Sequence, residues 1–204
     1  MYGLPDKTIV NKPLFKTDFF TKFNLKTAER DRFDADISRM YILAWIASKR
    51  VPALSDAGEV ISFYVMLLDL KHQSCAEQNL IQLQRLIGQK MVFALQWEGQ
   101  TQLCVYYGKL LRTEWKSTEE TTITLKGLSI DDAWRNIVAQ IGGIDDTYSE
   151  QTLDEQIEAK AQRDKLLKQI ETLEKQCRTE KQTRKKFELH QQIIKLKEVL
   201  RNDK

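Results

Sequence analysis

The stretch "VISFYVMLLDLKHQSCAEQNLIQLQRLIG", residues 60–88, decides the fold. Its first part, residues 60–71, carries apolar side chains at both odd and even positions, as a central β-strand buried on two faces requires. The run then breaks into Asp69, Lys71 and His72. Ser74 and Glu77 have the S-x-x-E spacing of a capping box, which predicts a helix directly after the strand. Leu80, Leu83, Leu86 and Ile87 give that helix an apolar side, and Gly88 closes it.

Upstream, "ISRMYILAWIA" (Ile37–Ala47) is rich in β-branched and aromatic residues and reads as a buried strand or the end of a helix. Between the two runs, "KRVPALSDAGEV" holds Pro52 and Gly58 and reads as a turn. The first 35 residues interleave lysines with Phe15, Phe19, Phe20 and Phe23. Such a mixture can bind single-stranded nucleic acid. The tight clustering of the phenylalanines favours short helices that lay an aromatic flap on the domain.

Downstream, "MVFALQWE" and "QLCVYYGKLL" form a hairpin across Gly99, and "TTITLKGL" reads as a further short strand. Ser129 with Asp132 repeats the capping signature ahead of the stripe Ile130, Trp134, Ile137, Val138 and Ile141, which Gly142 and Gly143 end. Trp45, Trp97, Trp115 and Trp134 read as core or core-edge residues, Trp115 being also a candidate partner anchor. The expectation is an α+β domain over residues 1–148. Its sheet would have four to five mainly antiparallel strands, with packed helices and an N-terminal arm.

Residues 149–204 differ in kind. No Gly or Pro follows residue 143, and Thr152 with Glu155 opens a long helical segment. Leu166, Ile170, Leu173 and Cys177 step as a coiled-coil seam, and so do Leu189, Ile193, Leu196 and Leu200. The twelve-residue gap between the two sets breaks the heptad, so one straight helix would turn the seams about 100° apart. Folding near Thr183 restores register: Leu166 then meets Leu200, Ile170 meets Leu196, Leu173 meets Ile193, and Cys177 meets Leu189. A helical hairpin satisfies this pairing, as does an antiparallel homodimer of two chains. Glu180 with Arg184 would instead favour a continuous helix.

The totals exclude several classes. At 204 residues, 42% hydrophobic and 30% charged, the chain supports one core plus an appendage and is not disordered throughout. No run approaches the roughly eighteen apolar residues of a membrane span, and a secretory signal is not expected at the start. Three scattered cysteines, Cys75, Cys104 and Cys177, suggest neither a disulfide framework nor a zinc ribbon, so a reducing cytoplasmic setting is expected. The Walker, Rossmann and nucleophile-elbow motifs are missing. The net charge of +3 sits in the tail: residues 150–204 hold 14 Lys/Arg against 11 Asp/Glu.

Two candidate sites follow. Asp69 and Lys71 share one face at a strand end, the acid-x-lysine arrangement with which a nuclease holds a divalent cation such as Mg²⁺ and positions water. If residues 37–47 pair antiparallel with residues 60–71, "FDADIS" brings Asp34 and Asp36 near Lys71 and offers the second acid. The plainer reading is a solvated strand end, with no metal and no other cofactor. The second site is the bend in the tail, where Arg178, Lys181, Arg184, Lys185 and Lys186 cluster and can touch nucleic-acid phosphates. The apolar seam (Leu166, Ile170, Leu173, Leu189, Ile193, Leu196, Leu200) is a third candidate, for binding a protein partner.

The phrases "GLP", "VNKPLFK", "RFDADI", "LLDLK", "LIQLQRLIGQKMVFAL", "LRTEW" and "EKQTRKKFELHQQIIKLK" together resemble the uncharacterised bacterial family numbered four-three-nine-one in the domain-of-unknown-function series. The likeness spans nearly the whole chain and carries no catalytic residues over. It implies a genomic setting beside DNA helicases and DNA methyltransferases in restriction-like or phage-defence clusters. The expected function is an accessory subunit that docks such a partner and contacts nucleic acid. The alternatives are a metal-dependent nuclease and a structural homodimer.

Overall fold

The computed structural model describes residues 1–144 and 152–202. The chain divides into two compact units, Met1–Asp146 and Thr147–Lys204. The sequence "DDTYSEQ", where the composition changes, lies outside the described residues.

The first unit is built on a mixed sheet of seven strands: β1 (Ile9–Leu14), β2 (Ile37–Ala47), β3 (Ser62–Leu70), β4 (Met91–Trp97), β5 (Gln100–Tyr107), β6 (Lys109–Arg112) and β7 (Lys116–Ser117). The first six lie side by side in chain order, and β7 also pairs with β5. The expected four- to five-stranded, mainly antiparallel sheet is therefore corrected in size and type. β3 and β4 pair in parallel, from Tyr64–Met91 to Asp69–Gln96. The cause is α3 (Glu77–Ile87), which carries the chain back to the starting end of β3, so that the next strand must run the same way.

The strand missed at the first edge is β1. Its exposed Asn11, Lys12 and Pro13 hide the β pattern, and its ladder with β2 is interrupted between Ile9 and Lys12. The segment "TTITLKGL" is not a strand. Ile123 is buried and its N–H reaches the Tyr2 carbonyl, but the segment runs irregularly to Gly127. Gly127 has φ +121°, and a Cβ there would stand 2.3 Å from that of Asp132.

Side chains of β3 alternate between two covered faces, so Val65, Met66, Leu67 and Leu68 are all buried. Met66, Leu68 and Leu70 pack with Leu80 and Leu83 of α3 and with Phe19, Phe20 and Phe33 from α1 (Lys16–Lys22) and α2 (Thr27–Asp36). Phe63, on the opposite face, meets the Trp134 ring of α4 (Ile130–Gly142) at 5.4 Å between centroids. The phenylalanine flap is thus part of the core, except for Phe15, which is 64% exposed. Helix α4 starts as the sequence predicts, with reciprocal Ser129–Asp132 bonds, and stops at Gly143 in the left-handed conformation. Helix α3 does not use Ser74 as its cap: the helix begins after Ala76 with no side-chain cap from its own segment. β4 and β5 are joined through Glu98 and Gly99, both at positive φ, as a two-residue hairpin turn requires.

The second unit consists of α5 (Leu153–Thr179) and α6 (Thr183–Asn202), folded back on each other. Thr152 and Glu155 form the expected capping box. The reversal occupies residues 180–182 and uses neither Gly nor Pro: the Gln182 N–H donates to Glu180 Oε1 at 2.8 Å. The Lys197–Glu174 ion pair at 2.7 Å and a Cys177 Sγ contact with the Lys186 carbonyl tie the antiparallel helices together.

Candidate functional site

Strand pairing brings the end of β3 to the start of β2, with Asp69 opposite Arg39 and Leu70 opposite Ile37. The Lys71 N–H donates to the Asp36 carbonyl at 2.9 Å, and Lys71 Nζ donates to the Asp34 carbonyl. The four residues of the acid-x-lysine candidate are therefore neighbours in the chain trace, but their carboxylates diverge.

The Asp36 side chain turns toward α3. Its Oδ2 accepts from the Ala76 N–H at 2.7 Å and from Asn79 Nδ2 at 2.8 Å, and its Oδ1 stands 3.4 Å from His72 Nε2. A carboxylate from the end of α2 thus supplies what Ser74 does not, an acceptor at the α3 N-terminus, where negative charge also suits the helix dipole. Asp34 pairs with Lys16. Asp69 shares the parity of Phe63 and so lies on the α4 side of the sheet, 3.7 Å from Arg39 Nε. Its charge is felt by the Tyr2 phenol, whose pKa burial pushes up; the hydrogen bond to Thr101 at 3.1 Å works in the opposite sense. Among the described residues, no group of three or more His, Cys, Asp or Glu is arranged to hold a metal ion.

The buried thiols offer no nucleophile. Burial, reinforced by the Asp36 charge, pushes Cys75 up to about 12, and burial does the same for Cys104, with Arg112 opposing in both cases. A thiol titrating there stays protonated near neutrality.

The basic candidate is assembled. Arg178 lies in the last turn of α5, Lys181 in the bend, and Arg184, Lys185 and Lys186 in the first turn of α6; all five are exposed. Among the described residues, only Arg184 of the five forms an ion pair, with Glu188 at 3.3 Å. Glu180 is held below the usual carboxylate range, first by the Gln182 N–H it accepts. Between the helix ends lies an open hollow of about 640 Å³, lined by Lys181, Gln182 and Lys185 among others.

The seam residues are used within the chain. Ile170 and Ile193 are buried, and Leu166, Leu173, Leu189, Leu196 and Leu200 are half-buried. Phe187 is a different matter. It lies two positions before Leu189, on the opposite side of α6, and is 64% exposed. A search for seam spacing passes over it; its place in "RKKF" is the only trace it leaves in the sequence.

No helix among the described residues is long and apolar enough to cross a membrane. No curated protein and no solved structure matches the chain. One family does, described as Domain of unknown function (DUF4391), over residues 2–200, and the chain belongs to that family.

Proposed function

We propose that the protein is an accessory subunit of a bacterial DNA-processing or phage-defence system. In this reading it docks a larger partner, such as a helicase or methyltransferase, and touches nucleic acid with the tip of its helical hairpin. The observation that carries the nucleic-acid contact is the cluster of five exposed cations at one bend, of which only Arg184 has an ion-pair partner among the described residues. Cations left to water at a tip are suited to releasing counterions from a phosphate chain, which gives salt-dependent affinity without sequence readout. The genomic setting implied by the family resemblance supports the partner class.

The nuclease alternative is less well supported, because Asp36 would have to give up its bonds to Ala76 and Asn79 to serve a cation. The homodimer alternative is less well supported, because Ile170 and Ile193 of the seam are already buried within one chain.

The test is fluorescence anisotropy with labelled DNA at two salt concentrations. Replacing Arg184, Lys185 and Lys186 together by Ala should weaken binding by about tenfold or more at low salt and flatten the salt dependence. Unchanged affinity in that variant would reject the tip. Incubation of DNA with Mg²⁺ or Mn²⁺ should leave it intact; cleavage that disappears in Asp69→Ala would restore the nuclease reading.

A further inference from the structure

We infer that the tip takes single-stranded rather than duplex nucleic acid, with one unpaired base laid on the ring of Phe187. This rests on the basic-tip reading and goes beyond it by naming the form of nucleic acid and the side chain that selects it.

The ring is out of place as a structural residue. It is 64% exposed and lies on the side of α6 away from the seam that closes the hairpin. Leaving a phenylalanine in water forgoes the stabilisation that burying its apolar surface would bring. As a docking surface for a protein it is also poorly placed. The next exposed apolar side chain on that side, Ile194, is two turns further along α6, and the polar His190 and Gln191 stand between them. An isolated ring does not make the contiguous patch that a protein interface uses.

What surrounds the ring is cationic and able to donate hydrogen bonds. Arg184 lies one turn before it on the same side, Lys186 adjoins it and His190 lies one turn after, while Lys185 stands across the helix at the same tip. The nearby acids are occupied: Glu188 pairs with Arg184, and Glu180 accepts from the Gln182 N–H. A flat apolar surface with cations at the same tip complements a flat ring tethered to phosphates, that is, a nucleotide. Duplex bases are already stacked on each other and present only edges and phosphates to a side chain outside the helix. An unpaired base presents its face, and stacking on an aromatic side chain tolerates every base.

The experiment compares a labelled single strand with a duplex of equal length, using the full chain. Wild type should prefer the single strand. Phe187→Ala and Phe187→Leu should each lose roughly tenfold on the single strand, little on the duplex, and keep the salt slope. Phe187→Trp should retain binding, and its added emission should be quenched by the oligonucleotide. Because the ring is exposed, these variants should fold, and circular dichroism checks this. Single-strand affinity unchanged in both Ala and Leu variants, or equal wild-type affinity for the two DNA forms, overturns the inference while leaving the basic tip standing. No binding to either form at low salt overturns both.

Discussion

In the sheet unit, Phe63, Val65, Phe93 and Leu95 are fully buried, whereas in the hairpin Ile170 and Ile193 keep 6% exposure and most of the seam remains half-open. The sheet is covered on both faces, so each central side chain has neighbours all round. Two helices side by side bury one stripe each, and most of their remaining surface is exposed. The sheet unit thus draws its stability from packing, while the hairpin depends on the Thr152–Glu155 cap, the Lys197–Glu174 ion pair and a thin seam. A surface under so little packing constraint is free to carry binding chemistry, and the exposed tip cations and Phe187 lie there.

The sharpest way to break this comparison is to cut into each interior in turn. Phe93→Ala should destabilise the sheet unit by about 4 kcal/mol, and Ile193→Ala should cost the hairpin about 2 kcal/mol, the low end for such a truncation. All four tryptophans lie within the first unit, so their fluorescence in urea follows the sheet, while far-ultraviolet circular dichroism sees the helices of both. Ile193→Ala should move the dichroism transition and leave the fluorescence transition in place. Coincident shifts would mean that the two units unfold as one.

Asp36 tests whether the acids at the strand end are structural. Asp36→Ala removes the acceptor for Ala76 N–H and Asn79 Nδ2 and should cost about 2 kcal/mol by the fluorescence transition. A variant as stable as wild type would return that carboxylate to the list of groups available for chemistry. The smallest effect concerns the α4 cap. Ser129→Ala should cost about 1 kcal/mol. Asp132 is held below the usual carboxylate range by the Ser129 hydroxyl first and then by the Leu128 N–H. A depressed folded pKa contributes stability that is present above the ordinary carboxylate value and lost as pH falls through the folded value. The stabilities of wild type and Asp132→Asn should therefore differ at neutral pH and converge in acid.

The hairpin was legible because two seams of four residues, set twelve apart, cannot share one face of a straight helix, and α5 and α6 fold back on each other. The pairing of β2 with β3 was legible for a similar reason, two apolar runs on either side of a Pro- and Gly-bearing turn. The parallel β3–β4 pair required following the consequence of α3 through space, which strand patterns alone do not express. β1 escaped because an edge strand needs few apolar residues. At the candidate site, register predicted the proximity of Asp34, Asp36 and Lys71, but not the directions of the carboxylates. Asp36 turns to α3 because that helix lacks a cap of its own, a demand that arises only once the two segments are packed together.

The irregular β1 edge has a consequence for handling the protein at high concentration. Val10, Asn11, Lys12 and Pro13 are exposed, Asn11 has φ +46°, and Pro13 has no N–H to offer. A neighbouring chain seeking to extend the sheet there meets a broken row of donors and a lysine, the devices by which natural edges resist aggregation. Growth into fibrils from this border is thereby disfavoured, and replacing Pro13 and Lys12 with β-branched residues should raise the tendency to aggregate.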